Sequence, residues 1–234
     1  MRDSVAFGER SNVADVPLPV DDVAEPPQRQ ARSVPSERLT RVIDLGVAAL
    51  TLVVLAPLLV LVGLLVKLSD GGPVIFWQKR VGRFGREFWF PKFRSMYVGA
   101  EREHDVLLSQ ADDQDTIRLK LRKDPRITRV GRILRTLSLD ELPQLWSVLR
   151  GDMAMVGPRP PLPAEVARYD ARSRRRLEVK PGITGLWQVQ GRSLISFDEQ
   201  VALDLAYIEN RSIGLDLKLM ALTIPAVLSC RGAW

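Results

Sequence analysis

An uninterrupted apolar segment near the N-terminus constrains this chain more than any other feature. From Leu45 to Val66 the sequence has 22 consecutive uncharged residues, and Thr51 is the only one with a conventional polar side chain. A helix of about 20 apolar residues is long enough to cross the hydrocarbon core of a bilayer. Core helices of soluble proteins are seldom so uniformly apolar. The segment therefore predicts a helix embedded in a membrane.

The topology of this segment depends on Pro57, which lies near its middle. Proline removes the N–H that would bond to Val53 and disfavours helical dihedral angles at the preceding residue, Ala56. Basic residues flank the segment on both sides, and positive charge marks the cytoplasmic ends of membrane helices. We therefore expect a kinked, re-entrant hairpin over residues 37–69, with a kinked spanning helix as the alternative.

The charge distribution predicts an anionic partner. The 234-residue chain has a net charge of +6, and the stretch Lys79–Arg135 holds 15 basic and 8 acidic residues, which accounts for the whole excess. Nucleic acid, acidic lipid headgroups and phosphorylated substrates all fit such a stretch. Because the chain has one cysteine and one histidine, it cannot form an intrachain disulfide or a histidine-rich metal site. Any metal is expected to be a hard cation bound by oxygen.

Apolar periodicity predicts an α+β fold that is mainly helical. Residues 1–36 have the composition of a disordered tail, and residues 70–234 are expected to form a small cytoplasmic, membrane-associated catalytic domain. Strands are predicted at Pro73–Gln78 and Glu87–Phe93. The closing segment, Gly214–Cys230, fits an interfacial helix and a core helix equally well. Helices are predicted at Glu101–Gln110, Thr128–Arg135, Glu141–Arg150, Ala164–Glu178 and Phe197–Arg211.

Two adjacent carboxylates, Asp140 and Glu141, lie in a region rich in arginine. One interpretation is local: Ser138 fits a capping box with Glu141, and Asp140 is an alternative N-cap that suits the position of Pro143 better. The other is catalytic, because a carboxylate with an ordinary pKa near ~4 is ionised at neutral pH and attacks without a general base. The residues alone leave both interpretations open.

Several motifs, taken together, resemble the bacterial sugar transferases, and specifically the small, single-hairpin, monotopic polyprenyl phosphoglycosyl transferases. The resemblance runs in register from about Arg38 to about Leu222. It rests on "RLTRVIDL", the apolar run broken at Pro57, "QKRVGRFGREFWFPKFRSM", "DPRITRVGRILRTLSLDELPQLWSVLRGDMAMVGPRP", "KPGITGLWQVQGR" and "LDLAYIENRSIGLDLKLM".

The resemblance implies transfer of a phosphosugar from a nucleoside diphosphate sugar, with uridine as the default base, to polyprenyl (undecaprenyl) phosphate, which releases UMP. It places this reaction at the cytoplasmic face of the bacterial inner membrane, as the first membrane step of exopolysaccharide, capsule or glycoconjugate assembly. It implies that Asp140 is the nucleophile of a covalent aspartyl-phosphosugar intermediate. Glu141 is implied to hold Mg²⁺ or Mn²⁺, assisted by Asp204 in "LDLAY".

Because an anion must approach a diphosphate here, cationic groups are needed around the phosphorus. The expected phosphate ligands are Arg135, Arg159, Lys92, Arg94 and Arg192. Prolines on both sides of Arg159 restrict the backbone of its loop. The glycines before Arg192 suit either close backbone approach to a ligand or tight turns.

The hairpin of this family is expected to involve Arg41, Asp44, Ala56 and Pro57; many relatives have serine where this chain has Ala56. Membrane lipids are expected partners, nucleic acid is not, and the oligomeric state, including a homo-oligomer, stays open. Two rival functions are a basic nucleic-acid-binding membrane protein and a non-catalytic scaffold of a glycan assembly complex. The first is disfavoured because the aromatic residues do not form a stacking series between the basic ones.

Overall fold

The apolar segment forms one 34-residue helix, α1 (Glu37–Asp70), in the computed structural model, which describes residues 36–100, 124–191 and 195–230. Helical structure continues through Pro57, so this residue does not divide α1 into two separate helices. Within the described ranges, α1 is the helix that is long and apolar enough to cross a membrane. Its middle exposes large apolar side chains, among them Leu50, Val53 and Val60. This confirms an apolar N-terminal helix that suits a membrane environment.

The first turns of α1 form hydrogen bonds with the domain that follows the apolar segment. Arg41 donates hydrogen bonds to the carbonyl oxygens of Val148 (2.6 Å) and Leu149 (2.9 Å). The buried carboxylate of Asp44 accepts a hydrogen bond from the backbone N–H of Met155 at 3.1 Å. Both residues were expected to belong to the membrane hairpin. Their contacts show that they join α1 to the domain that follows it.

The last turn of α1 is held by the same compact unit of the chain. Gly71 ends the helix in the left-handed region (φ 74°), and its N–H bonds to the carbonyl of Lys67. Asp70 forms a buried ion pair with Arg94, whose guanidinium also donates to the carbonyl of Pro73. Both ends of the apolar helix therefore contact one folded body.

Among the described residues, the elements after α1 are mostly short helices with two small β-sheets, which confirms the mainly helical class. They are β1 (Ile75–Val81), β2 (Glu87–Phe93), α2 (Arg129–Thr136), a 3₁₀-helix (Leu139–Gln144), α3 (Leu145–Arg150), β3 (Ala154–Val156), α4 (Pro163–Ala167), α5 (Ala171–Arg174), a second 3₁₀-helix (Arg175–Glu178), β4 (Gly182–Thr184), α6 (Leu186–Gln190), α7 (Phe197–Asn210) and α8 (Ile213–Leu228); a one-turn 3₁₀-helix (Arg83–Gly85) connects β1 to β2.

The antiparallel hairpin of β1 and β2 confirms both predicted strands. Opposed pairs include Phe76 with Lys92 and Arg80 with Phe88. Opposed residues in an antiparallel pair share a face, and side chains alternate along each strand. Lys92 and Arg80 therefore lie on the same face of the hairpin.

A second sheet, β3 with β4, is parallel and was not predicted from the sequence. It pairs Ala154 with Gly182 and Val156 with Thr184. A Cβ atom at Gly182 would lie 2.0 Å from the backbone nitrogen of Gly157, so only glycine permits this approach. The glycine therefore serves contact between two backbone segments, instead of the ligand approach or tight turn expected from the sequence.

The helix predictions succeed where one helix face is buried over several turns. The predicted helix Thr128–Arg135 is present as α2, and the hydroxyl of Thr128 caps it by accepting from the N–H of Gly131 at 2.8 Å. The helix α7 coincides with the predicted helix from Phe197. The predicted helices Glu141–Arg150 and Ala164–Glu178 are divided into shorter elements. The tail up to residue 35 and the helix Glu101–Gln110 lie outside the described residues.

The closing segment forms α8, which combines the two alternatives proposed for it. Asp216 and Leu219 are buried, and Leu219 belongs to the main hydrophobic cluster with Val148, Met153 and other residues from α1, β2 and α6. The C-terminal half of α8 exposes large apolar side chains at Ile224 and Leu228. One part of α8 is therefore a core helix and the other leaves an apolar surface.

Candidate active site

A cavity of about 1030 Å³ lies between α1, the β1–β2 hairpin, the Leu139–Gln144 3₁₀-helix and α8. Two kinds of surface line it. Its apolar walls are side chains of α1 and α8, such as Val54, Leu58 and Ile224. Among the described lining residues, the charged ones are the carboxylate pair, Asp140 and Glu141, and a cationic cluster consisting of Arg80, Lys92, Arg135 and Arg159.

The carboxylate pair lies in the first turn of the Leu139–Gln144 3₁₀-helix. Ser138, immediately before this 3₁₀-helix, has φ 54°, in the left-handed region that disfavours residues with a Cβ. Its side chain makes no capping hydrogen bond. Asp140 lies inside the 3₁₀-helix and not at its cap. The capping interpretation of the sequence is therefore wrong. Backbone strain of the kind seen at Ser138, two residues before the buried carboxylate of Asp140, is typical of functional sites.

Asp140 is buried, with 9% of its surface exposed, and its electrostatic surroundings are unusual. Burial and, secondarily, the charge of Glu141 raise the pKa of Asp140 to about 6, against the opposing effect of Lys92 and Arg135. The sequence had suggested an ordinary carboxylate pKa. A group with a pKa of about 6 is still about nine-tenths ionised at neutral pH, but it is a stronger base than an ordinary aspartate.

Lys92, on β2, faces the cavity beside Arg80 of β1. Burial and the neighbouring charge of Arg80 lower the pKa of Lys92 to about 8, while Asp140 acts in the opposite direction. The ammonium lies 5.1 Å from the ring centroid of Phe76. A cation held among other cations in a partly desolvated site is poised to bind an anion.

Arg135 and Arg159, the two leading phosphate ligands predicted, both reach the cavity. Arg135 lies in the last turn of α2, and its carbonyl accepts the N–H of Ser138 at 3.1 Å. The loop of Arg159 is held in place through the next residue, Pro160, whose carbonyl oxygen accepts a hydrogen bond from Arg80 at 3.0 Å. The same arginine therefore lines the cavity and braces the loop of Arg159.

Arg80 was not predicted as a site residue, because its position in the sequence suggested only one of the basic residues that flank the membrane segment. The alternation of the two predicted strands contained the signal: β1 and β2 place Arg80 and Lys92 on one face once their register is known. Trp187 and Gln188 of α6 also line the cavity and were not singled out. Their local pattern carried no comparable signal.

Two predicted site residues lie elsewhere. Arg94 is buried against Asp70 at the end of α1 and does not line the cavity, so its geometry gives no support to a phosphate-binding role. Asp204 of α7 forms a buried ion pair with Arg176 at 2.7 Å and is also absent from the cavity lining. Its geometry gives no support to a metal role. Arg192 lies outside the described residues.

The donor set suits a hard divalent cation only with help from a substrate. Within residues 36–100, 124–191 and 195–230, no three His, Cys, Asp or Glu side chains are grouped as metal ligands. Asp140 and Glu141 supply carboxylate oxygens, which Mg²⁺ prefers, and Mg²⁺ commonly completes its shell with water and substrate phosphates. The pair therefore fits a metal that binds together with a diphosphate.

Comparisons with known proteins agree on one family. Residues 35–230 match the family described as Bacterial sugar transferase. The galactosyl transferase CpsE of Streptococcus agalactiae is 51% identical over 166 residues, or 70% of this chain and 37% of that protein. The exopolysaccharide production protein ExoY of Sinorhizobium fredii is 42% identical over 197 residues, or 83% of this chain and 87% of that protein.

A further relative, the undecaprenyl-phosphate galactose phosphotransferase of Salmonella typhimurium, is 41% identical over 202 residues, or 85% of this chain and 42% of that protein. This chain thus spans less than half the length of CpsE and of the Salmonella protein, and most of the length of ExoY. The family match includes the carboxylate pair and the whole cationic cluster. It confirms the resemblance drawn from the motifs: the chain belongs to the bacterial sugar transferase family and is a transferase.

Proposed function

We propose that this protein transfers a phosphosugar from a uridine diphosphate sugar to a polyprenyl phosphate such as undecaprenyl phosphate, with release of UMP, as a first membrane step of exopolysaccharide or capsule assembly. The observation that carries the proposal is the dual character of the cavity. The cationic cluster and the carboxylate pair suit a diphosphate, and the apolar walls from α1 and α8 suit a lipid chain. Relatives named for galactose and glucose phosphotransfer to undecaprenyl phosphate support the same reaction.

In the first step, a carboxylate oxygen of Asp140 attacks the phosphorus that bears the sugar. An O–P bond forms, the bond between that phosphorus and the bridging oxygen breaks, and UMP leaves with the electron pair. The product is an acyl phosphate on Asp140 that carries the sugar. Burial of Asp140 favours this step, because its raised pKa and partial desolvation make the ionised carboxylate more nucleophilic.

In the second step, an oxygen of the polyprenyl phosphate attacks the same phosphorus. The bond to Asp140 breaks, the carboxylate is regenerated and a polyprenyl diphosphate sugar leaves. Lys92, Arg135 and Arg159 bind the phosphoryl oxygens in both steps and offset the repulsion between two anions. When bound by Glu141 and substrate oxygens, Mg²⁺ or Mn²⁺ would supply additional neutralisation of phosphate charge.

The contacts of α1 support a re-entrant placement on the cytoplasmic face of the membrane. Arg41 and Asp70 lie near its two ends, about 44 Å apart along an ideal helix of 1.5 Å per residue, and both contact the same folded body. A helix that crossed a bilayer with a hydrocarbon core of about 30 Å would place these polar contacts on opposite sides. Entry and exit by one face keeps them together.

The reaction is tested with donor alone. With a UDP-sugar and no lipid acceptor, the protein should release one equivalent of UMP, and the peptide that contains Asp140 should gain the mass of a phosphosugar. Direct attack by polyprenyl phosphate in a ternary complex gives neither the burst nor the adduct. Their absence under conditions that support full turnover would contradict the covalent step. A scaffold without activity would release no UMP even with acceptor present.

Metal dependence is tested with a chelator. EDTA should abolish UMP release and Mg²⁺ should restore it, because Glu141 has too few companion ligands to retain a cation without substrate. Full activity in EDTA would remove Glu141 from its proposed role.

The topology is tested by labelling in cells. In a Cys230→Ser background, cysteines introduced near Met1 and after Trp234 should both be labelled only by reagents that reach the cytoplasm. Labelling of the N-terminal cysteine from outside would show that α1 spans the membrane.

A further inference from the structure

The loop of residues 157–161, which carries Arg159, has few backbone groups that can donate a hydrogen bond. Three of its five residues are prolines, and proline has no N–H. The loop is therefore held largely through its carbonyl oxygens. The carbonyls of Pro158 and Pro161 accept hydrogen bonds from backbone N–H groups of β4 and β1, each at 2.9 Å.

The carbonyl of Pro160, between these two, is bonded by a side chain instead. Nη1 of Arg80 donates to it at 3.0 Å, and this hydrogen bond is buried. Pro160 follows Arg159 directly in the chain, and Pro158 precedes it. The backbone is thus fixed on both sides of Arg159, on one side by a β4 backbone group and on the other by Arg80.

The guanidinium of Arg80 is itself held by the β1–β2 hairpin. Its Nη2 donates to Oε1 of Gln78 at 2.7 Å, and its central carbon lies 5.2 Å from the ring centroid of Phe90. Gln78 precedes Arg80 by two residues in β1, so the two side chains share a face of the strand. Arg80 is 5% exposed. Its orientation is therefore set by its own hairpin before any substrate binds.

The side chain of Arg159 is arranged differently. It lines the cavity and is half-buried. In the part of the chain that the structure describes, no hydrogen bond or ion pair holds its guanidinium. Arginine binds phosphate best when its N–H groups are available for two parallel bonds. Arg159 meets this condition, whereas both terminal nitrogens of Arg80 already bond to the protein.

We propose that Arg80 is a positioning residue, which holds the loop of Arg159 where that arginine reaches the substrate phosphates and does not bind them itself. The inference rests on the proposed function, in which Arg159 binds phosphoryl oxygens. Displacement of a catalytic group by about 1 Å costs up to about 100-fold in rate, so one hydrogen bond to the loop has a large effect on turnover. Gln78 contributes indirectly, because it orients Arg80.

The test is a double-mutant cycle on kcat/KM for UMP release, with Mg²⁺, undecaprenyl phosphate and either UDP-galactose or UDP-glucose, whichever wild type uses better. Arg159→Met should lower kcat/KM about 100-fold, and Arg80→Met about 10- to 100-fold. The double variant should stay within about fivefold of Arg159→Met, because Arg80 acts through Arg159. Losses that multiply would show that Arg80 acts independently of Arg159 and would overturn the proposal.

Gln78→Met gives a second test, whose two outcomes have opposite signs. Gln78 does not line the cavity, and the change removes only the acceptor that orients Arg80. If Arg80 positions the loop, kcat/KM should fall about 2- to 10-fold, and this loss should vanish in an Arg80→Met background. If Arg80 is a phosphate ligand, release of its Nη2 should leave kcat/KM unchanged or raise it, which would contradict the proposal.

A purely structural role for Arg80 is distinguished by the UMP burst with donor alone. The amplitude of the burst counts active molecules, and its rate constant reports the reaction in each of them. Arg80→Met should keep the wild-type amplitude and slow the burst about 10- to 100-fold. A smaller amplitude at an unchanged rate constant would show that Arg80 only maintains the fold. The matched control, Arg86→Met, at an exposed arginine of the β1–β2 connection, should change neither quantity.

Failure of this inference and failure of the proposed function give different results. Turnover by wild type together with independent effects of Arg80 and Arg159 would overturn the positioning role and leave the proposed function intact. If wild type released no UMP from either donor with Mg²⁺ and acceptor present, the proposed function would fail and this inference with it.

Discussion

Asp204 and Asp140 are both buried aspartates close to arginine, and they differ in how their charge is balanced. Asp204 on α7 is 1% exposed, and its Oδ2 accepts a hydrogen bond from Nε of Arg176 at 2.8 Å and lies 2.7 Å from Nη2 of the same guanidinium. Arg176 in turn donates to the hydroxyl of Tyr169 at 2.8 Å. One cation therefore meets one anion here, and their charges offset each other.

Asp140 is nearly as buried, but its nearest charges do not pair one to one. Glu141 repels it, and Lys92 and Arg135 attract it only in part, so its pKa is raised to about 6. The cavity around it has an excess of positive charge among its described lining residues. The difference teaches that burial of an acidic side chain does not by itself mark a catalytic site. Unbalanced charge in a cavity large enough for a ligand is the better indicator of a catalytic site.

The largest effect is expected from Asp140→Asn. The substitution keeps the size of the side chain but removes the proposed anionic nucleophile, so UMP release should fall by about 10⁴-fold or more, as for other covalent nucleophiles. Because Asp140 does not cap a helix, the variant should remain folded, which thermal melting checks. Near-normal turnover would show that the unbalanced carboxylate is not the nucleophile.

Asp204→Asn should show the converse behaviour. Arg176 would keep its charge without an anionic partner, and breaking a buried ion pair in this way destabilises proteins by about 3–5 kcal/mol. We therefore expect a clear loss of melting temperature, while molecules that stay folded keep the sugar selectivity and pH profile of wild type. The double variant Asp204→Leu with Arg176→Met should recover much of the stability. Loss of UMP release at full stability would restore a direct role for Asp204.

Lys92→Met removes one cation from the cluster and should lower kcat/KM for the donor about 100-fold, the usual cost of losing one donor to a charged transition state. It also removes a charge that lowers the pKa of Asp140, so the acid limb of the pH profile should move to higher pH. The matched control is Lys79→Met, at an exposed lysine of β1. A lower rate with an unmoved acid limb would show that Lys92 does not influence the pKa of Asp140.

The pH dependence of wild-type activity should be the mildest effect. In the proposed mechanism Asp140 reacts as a carboxylate, and because its pKa is raised to about 6, kcat/KM for the donor should fall as pH drops through that value. Lys92 is proposed to bind phosphate as an ammonium, and because its pKa is lowered to about 8, kcat/KM should fall again as pH rises through that value. A flat profile across this range would contradict both assignments.

The elements that the sequence predicted well are those with strong local patterns. The apolar segment, the two strands of the β1–β2 hairpin and the helix α2 each depend on neighbouring residues, and each is present in the structure. The β3–β4 pair was missed, because each strand has three residues and the pairing joins segments more than 20 residues apart. Alternation over three residues is too short to detect.

The sequence by itself determined the membrane-suited helix, the family and the position of the carboxylate pair, since these depend on composition and motif alone. Only the tertiary structure decided which charges face Asp140. It brought Arg80 into the cavity, turned Arg94 toward Asp70 and matched Asp204 with Arg176. Partner choice and burial depend on contacts between distant parts of the chain, and in a low dielectric these contacts decide whether a charge is neutralised or left reactive.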